Sequence, residues 1–375
     1  MQALRLVPTI LYFDTIAAFH AEYPIGERDL LVTNEWLFGP YIEPLGTKVK
    51  VIFQEKFGTG EPSDEMIDGI VREASQYDYD RIIALGGGTI LDICKVLALD
   101  VPEKSEDLYT GVCAPVKVKK LIAIPTTCGT GSEVTNVAIA ELKRLHLKKG
   151  IAVDETYADL AVLIPETMKG LPYKVFITSS VDALIHAVES YLSPKASPFT
   201  EVFSLEAIGL IMKGYKAIAS GGEEKRFDYM KDFVIASNYA GIAFGNAGCA
   251  AVHALSYSIG GAFHVPHGEA NYQFFTAVMK KYIAKAPDGK IQNLTEILRG
   301  ILDLSADAAP LSVYDAFDAF LGKLIEKKPL KDYGMVEAQI DEFTASTVDN
   351  QQRLLANNYV FLENGELHAI FEELF

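Results

Sequence analysis

Short β-branched runs alternate with amphipathic stretches through the first half of the chain, whereas the second half carries long apolar stretches at helical spacing. The alternation predicts an α/β domain built on a largely parallel sheet, and the second half predicts an all-helical domain. Strands are expected at residues 29–33, 48–54, 81–85, 121–124 and 160–164. Ser63 stands as an N-cap before an amphipathic helix, and residues 90–99 read as an apolar helix. Pro165 marks a change of character, and from about Ser179 onward helices are expected at residues 183–191, 200–219 and 227–243. The domains are therefore placed at residues 1–178 and 179–375, with the turn-rich segment 193–198 read as a loop between helices and not as a linker. Beyond Ala286 scattered polar helices and turns at Pro287-Asp288-Gly289 and Glu363-Asn364-Gly365 suggest no chemistry.

Within the helical half, residues 238–268 hold the densest information. No Asp, Glu, Lys or Arg lies between Tyr239 and Phe263, a length sufficient to span a bilayer. Gly241, Gly245, Gly248, Gly260 and Gly261 interrupt it, Asn246 and His253 lie inside it, and no basic cluster flanks it, so a buried helix ending at a ligand loop fits better. That helix and loop deliver His253 and His267 to one neighbourhood. A buried imidazole is costly without a partner, and upstream Asp182 and His186 stand four residues apart, on one face of a helix. One carboxylate and three imidazoles suit a divalent metal such as Zn or Fe(II). The bland alternative stands beside it: Ser179-Ser180-Val181-Asp182 is also a capping box at a helix start, and lone histidines often serve as satisfied core residues.

Two loops in the first half share another character. Gly86-Gly87-Gly88-Thr89 follows the strand at 81–85, and glycines there let a backbone approach a pyrophosphate while the helix start attracts its charge. Taken alone it serves equally as a tight strand-to-helix connection, and it is not the G-x-G-x-x-G fingerprint. After the strand at 121–124, Pro125 to Glu133 crowds hydroxyls, small residues and backbone N–H groups together, as wanted around a dinucleotide's oxygens. Asn34, at the carboxyl end of the first strand, is a candidate for the cofactor ribose or a plain turn residue. No P-loop motif is present.

DALIHAVE, HALSY and FHVPHGEAN, together with GGGT-x-x-D and PTTCGTGSEVT, resemble the metal and cofactor motifs of the iron-containing (group III) alcohol dehydrogenase family, and the likeness covers most of the chain. The resemblance implies a Rossmann-like, dehydroquinate synthase-like domain followed by a helical metal-binding domain, with the reaction in the cleft between them. It puts Asp182, His186, His253 and His267 on the family's metal ligands. It puts Gly86, Gly87, Gly88, Thr89, Asp92, Thr126, Thr127 and Thr130 on NAD(P) contacts, with Asn34 and Lys149 nearby; Lys149 otherwise reads as a surface lysine. Many members carry a further His four residues after the third ligand, where this chain has Tyr257, read either as a catalytic hydroxyl or as a packed aromatic. NAD-preferring members often carry Asp at the position of Asn34. Asn34 cannot repel a 2′-phosphate, yet no arginine stands beside it to accept one, so NAD is expected over NADP.

The implied chemistry is reversible hydride transfer between a primary alcohol and nicotinamide, with one divalent ion, Fe(II) or Zn, as Lewis acid. FGTGEPSDEM, KASPF and PHGEANYQFF resemble the branch of the family acting on 4-hydroxybutyrate, oxidised to succinate semialdehyde. The alternatives are a general primary-alcohol or 1,3-propanediol-type dehydrogenase, a glycerol dehydrogenase or dehydroquinate synthase-like enzyme, and a structural assembly protein tied together by its metal.

Composition narrows the partners. At 375 residues, with 49% hydrophobic residues, the chain can bury two cores, and its net charge of −16 would be repelled by nucleic acid and by anionic membranes. Cys94, Cys113, Cys128 and Cys249 show no C-x-x-C spacing and read as reduced packing residues of a cytoplasmic protein. The short apolar run at the N-terminus, ended by Asp14, carries no cleavage signature for a signal peptide. A small-molecule alcohol or aldehyde is the expected partner, and a homodimer or higher homo-oligomer the expected assembly.

Overall fold

The structure is a computed structural model that describes residues 3–145 and 147–375. It forms two compact units, Leu6–Leu171 and Pro172–Phe375, the second joined by residues 3–5.

The first unit is built on a six-stranded sheet, from β1 (Thr9–Tyr12), β2 (Asp29–Thr33), β3 (Lys50–Phe53), β4 (Arg81–Gly86), β5 (Lys120–Pro125) and β8 (Leu160–Leu163). The spatial order is β1-β8-β5-β4-β2-β3 and every pairing is parallel. Strands β2, β4 and β5 are buried almost throughout, which is why they read as continuous apolar runs. Leu30, Val32, Ile82 and Ala84 face one core with the helices Asp64–Ala74 and Gly88–Leu97; Leu31, Ile83, Ile122 and Val162 face the other. Ser63 caps the Asp64–Ala74 helix by accepting from the Met66 amide. Two elements go beyond the pattern read from the sequence. Strand β1 lies within the short apolar run near the N-terminus, and β6 (Val137–Leu142) pairs antiparallel with β7 (Leu147–Ala152) as a separate hairpin.

One buried charge ties this unit together. Lys95 is fully buried, and its Nζ donates to Ser132 Oγ at 2.6 Å, the Val137 carbonyl at 2.7 Å and Thr135 Oγ1 at 3.3 Å, with Asp92 Oδ1 at 3.6 Å. Burial lowers the lysine's pKa against the opposing pull of Asp92 and Glu133. The ammonium thereby fastens the segment after β5 to the Gly88–Leu97 helix.

The second unit is helical, with Tyr173–Leu192, Pro198–Gly221, Met230–Ala247, Ala251–Phe263 and His267–Lys285 packed together and shorter helices following. Tyr173–Leu192 begins well before the expected start at 183, so Asp182 lies inside the helix and not in a capping box. Ser179 and Ser180 return their hydroxyls to the Phe176 and Ile177 carbonyls. The Pro198 helix starts with a true box, Ser197 accepting from the Thr200 amide and Thr200 from the Ser197 amide. The uncharged stretch is two helices and not one. Gly248, at φ +80°, breaks it, and a Cβ there would collide with Asn357 Nδ2. Glu363-Asn364-Gly365, expected as a turn, begins the helix Asn364–Leu374, with Glu363 as its cap. Among the described residues no helix is long and apolar enough to cross a membrane.

Lys95→Met removes the cation from a site that keeps its acidic and hydroxyl partners. The expected cost is about 3 kcal/mol, read as a lowered midpoint in urea unfolding followed by far-UV circular dichroism. An unchanged midpoint would contradict the role of this lysine as a fastening.

Candidate metal centre and nucleotide-binding loops

Three helices bring the four residues of the expected ligand set together. Asp182 and His186 project from successive turns of Tyr173–Leu192, His253 from the first turn of Ala251–Phe263, and His267 opens the helix His267–Lys285. His267 is thus the first residue of a helix rather than part of a loop. Gly268 makes this possible: a Cβ on it would collide with the Thr178 carbonyl oxygen and lie 3.3 Å from Asp182 Cβ, so only glycine lets the two backbones approach so closely.

Asp182 Oδ1 is the hub. It lies 3.6 Å from His253 Nε2, 3.7 Å from His267 Nε2 and 4.0 Å from His186 Nε2. One ligand atom from each of the four residues lies within 4.8 Å of all the others. Donors about 2.1 Å from a tetrahedral ion would stand about 3.4 Å apart, so a small contraction would close this set around a divalent cation. His253 Nε2 is buried and makes no hydrogen bond, a polar atom in need of a partner. Burial alone would raise the Asp182 carboxyl, but the surrounding imidazoles of His186, His267 and His253 outweigh it and hold the group well below the usual carboxylate range. Asp182, His186 and His253 are nearly sealed, whereas the His267 side chain is 32% exposed, so the cluster opens on the His267 side.

Glu189 fixes the His253 ring. Its carboxylate is buried and accepts from the Ala250 amide at 2.9 Å, the Val252 amide at 2.7 Å and His253 Nδ1 at 2.6 Å. A carboxylate can only accept, so Nδ1 carries a proton and Nε2, turned toward Asp182, is the ring atom left for a metal. The same carboxylate satisfies amides at the start of the Ala251–Phe263 helix, a job otherwise left to a cap. Asn271, one turn after His267, donates Nδ2 to Asp182 Oδ1 at 2.8 Å and has Ser256 Oγ on its own oxygen. Phe244 stacks on the His186 ring at 4.1 Å between centroids.

Sequence reasoning missed Glu189, Asn271 and Cys249. The first two repeat a spacing that is visible in the chain: Glu189 is three residues after His186, and Asn271 four after His267, each on its ligand's helical face. Cys249 reads as packing from the sequence. It lies within ligand distance of Glu189 and His253 and in the kink between helices, where spacing predicts nothing. Tyr257 stands one turn beyond His253, its ring 6.0 Å from that of His267, and it packs against the apolar cluster of Cys249, Ala254 and Leu354. Its ring is packed as the aromatic reading expects, beside the cluster's exposed member.

In the α/β unit, the two glycine- and hydroxyl-rich loops follow neighbouring parallel strands. Gly86 pairs with Pro125 at the ends of β4 and β5, and the Thr126 amide donates to the Gly86 carbonyl at 3.0 Å. Their close approach accounts for Gly87 and Gly88, whereas Gly86 makes room for a residue of the helix that follows it. A Cβ on Gly86 would strike Ile90 at 2.5 Å, one on Gly88 would lie 2.9 Å from Thr130 Cγ2, and one on Gly87 3.3 Å from Thr127 Cγ2. Thr126 Oγ1 is buried without a hydrogen-bond partner, while Thr89 Oγ1 donates to the Gly60 carbonyl. Asp92 accepts from Ser132 Oγ at 2.5 Å and from the Ile139 amide at 3.0 Å, which joins the two loops through the helix behind them. Asn34 sits just beyond β2, and Lys149 projects into solvent from β7 opposite Ala140.

Residues 8–165 match the sequence pattern described as iron-containing alcohol dehydrogenase, and residues 176–375 match the C-terminal pattern of the same family. The chain is 51% identical to 4-hydroxybutyrate dehydrogenase of Clostridium kluyveri over 375 residues, all of both chains. It is 34% identical to long-chain-alcohol dehydrogenase 1 of Geobacillus thermodenitrificans, covering 84% of this chain and 80% of the relative. Among solved structures, sulfoacetaldehyde reductase from Bifidobacterium kashiwanohense in complex with NAD+ superposes with a TM-score of 0.85 over 100% of this chain and 98% of its own, at 22% identity, a likeness of fold.

Glu189→Gln keeps the size of the side chain but removes the obligatory acceptor from His253 Nδ1. Affinity for a divalent ion should fall about 10–100-fold, measured by competition with a chromophoric chelator. Unchanged affinity would show that Glu189 acts only on the helix start.

Proposed function

Because the chain belongs to the iron-containing alcohol dehydrogenase family, we propose that it is a metal-dependent, NAD-linked dehydrogenase interconverting 4-hydroxybutyrate and succinate semialdehyde. The observation that carries the metal is the convergence of Asp182, His186, His253 and His267 with His253 Nε2 buried and unsatisfied. The substrate reading rests on the full-length relative of Clostridium kluyveri. The bound ion would supply Lewis acidity at the substrate's hydroxyl oxygen, and the nicotinamide would take the hydride. Either Fe(II) or Zn suits three imidazoles and one carboxylate.

The protein's own residues hold and orient. Glu189 keeps one imidazole in the tautomer a metal needs, and Asn271 steadies the carboxylate that faces it. The open side near His267 admits the substrate oxygen, and Tyr257 on that side offers a phenol to substrate or proton. Gly86, Gly87, Gly88 and Thr89 present the start of a helix to the pyrophosphate, with Thr126, Thr127 and Thr130 supplying hydroxyls and Asp92 bracing the loops. Asn34 is assigned to the adenosine ribose, and Lys149 to the cofactor's neighbourhood. Four free cysteines support a cytoplasmic enzyme, the net charge of −16 disfavours nucleic acid and anionic membranes as partners, and symmetry statistics favour a homodimer. The functional division is read as a dinucleotide-binding unit, Leu6–Leu171, and a metal-binding unit, Pro172–Phe375, which moves the boundary expected at 178/179 ahead of the Tyr173–Leu192 helix.

His253→Ala and His267→Ala should each lose bound metal and turnover together. Full metal content with normal activity in either variant would remove that residue from the site. With the unmodified enzyme, NADH formation should be faster with 4-hydroxybutyrate than with 1-butanol, and Tyr257→Phe should narrow that difference. An equal or faster rate with 1-butanol would leave a general alcohol dehydrogenase.

A further inference from the structure

The carboxyl edge of the sheet presents its loops in the spatial order 126–130 after β5, 86–89 after β4, Asn34 after β2, and Glu55 just past β3. The strands are parallel, so all these segments emerge at the same edge, with neighbouring strands about 4.8 Å apart. Thr33 Oγ1 donates to the Leu85 carbonyl at 2.8 Å and locks the end of β2 against the end of β4. A dinucleotide whose pyrophosphate lies at the 86–89 turn has its adenosine ribose at the end of the adjoining strand, where an acidic side chain commonly receives the 2′-hydroxyl. Here that strand ends in Asn34, a neutral residue.

The missing charge is supplied from the next strand. Glu55 Oε2 accepts from Asn34 Nδ2 at 2.9 Å, and Glu55 Oε1 accepts from the Glu35 amide at 2.6 Å. These two bonds hold a half-buried carboxylate against the residue assigned to the ribose. Gln54, also within reach of Asn34 at 3.4 Å, turns its amide to the Gly58 carbonyl and adds no cation. Lys56, the nearest basic residue in sequence, lies over the Phe53 ring at 5.1 Å.

We propose that Glu55 is the residue that selects NAD over NADP, its carboxylate held by Asn34 beside the ribose that Asn34 contacts, where it repels a 2′-phosphate. The inference rests on the dinucleotide site proposed above. A lone asparagine at this point would leave the choice of cofactor nearly open. The Asn34–Glu55 pair restores the discrimination with the charge and the ribose contact on separate strands, so Asn34→Asp would place two carboxylates in contact and disturb the site.

The test is equilibrium titration of the unmodified protein, Glu55→Gln and Glu55→Ala with NADH and with NADPH, followed by nucleotide fluorescence without substrate. The unmodified protein should bind NADH at least about tenfold more tightly than NADPH, as expected for a phosphate brought beside a partly buried carboxylate. Both variants should gain affinity for NADPH and lose most of that ratio. Glu55→Gln still offers an acceptor to Asn34 Nδ2, and its NADH binding reports that the site is intact. If the ratio is the same in all three proteins, or if the unmodified protein binds both nucleotides alike, the role of Glu55 is overturned while the dinucleotide site stands. If the unmodified protein binds neither nucleotide, the dinucleotide site itself is overturned, and the selectivity inference with it.

Discussion

Burying the Asp182 carboxylate is the constraint on which the helical unit is built. An ionised carboxylate taken out of water costs several kcal/mol unless charges and donors surround it. Asp182 is 3% exposed, and everything that compensates it comes from other turns and other helices: His186 from its own helix, His253 from the Ala251–Phe263 helix, and His267 and Asn271 from the one after. The breaks in those helices follow from this need. Gly248 ends one helix so that His253 can start the first turn of another, and Gly268 removes the side chain that would hold His267 away from Asp182. Each break exposes backbone amides, and Glu189 meets that cost at the first of them while holding the His253 ring.

Much of this was legible in the chain, for identifiable reasons. Period-2 and continuous apolar runs marked β2, β4, β5 and β8 because their burial on both faces leaves no room for polar residues. The i,i+4 spacing of Asp182 and His186 announced a shared face because a helix carries it there regardless of tertiary context. The helix boundaries were less legible. An uncharged run from Tyr239 to Phe263 gives periodicity no place to stop, and the break at Gly248 is set by a close approach to Asn357, 109 positions further along the chain. Ser179 and Asp182 looked like a cap because the residues before them, Tyr173 to Thr178, are largely β-branched or aromatic and carry little helix propensity; burial against other helices overrides it. Strand β1 lay hidden for the opposite reason, being an edge strand only partly buried.

What sequence spacing could not reach were the contacts made by register. Glu55 meets Asn34 only because β2 and β3 run parallel with Thr33 beside Phe53, and Asp92 meets Ser132 only because the Gly88–Leu97 helix lies behind the loop after β5. Lys95 is the clearest instance, a lysine in an otherwise apolar helix that its spacing does not single out and the fold buries completely. In both units, then, residues of the candidate sites are held by charged neighbours from another element, which local pattern does not reveal.

The most direct measurement is anomalous diffraction from crystals of the protein reconstituted with Fe(II) or with Zn, recorded at the absorption edge of each metal. One peak should lie about 2.0–2.2 Å from an Asp182 oxygen and from the imidazole nitrogens of His186, His253 and His267, with the Glu189 carboxylate still on His253 Nδ1. A peak between Cys249, Glu189 and His253, or one that leaves Asp182 uncoordinated, would contradict both the placement of the metal and the reason for burying that carboxylate.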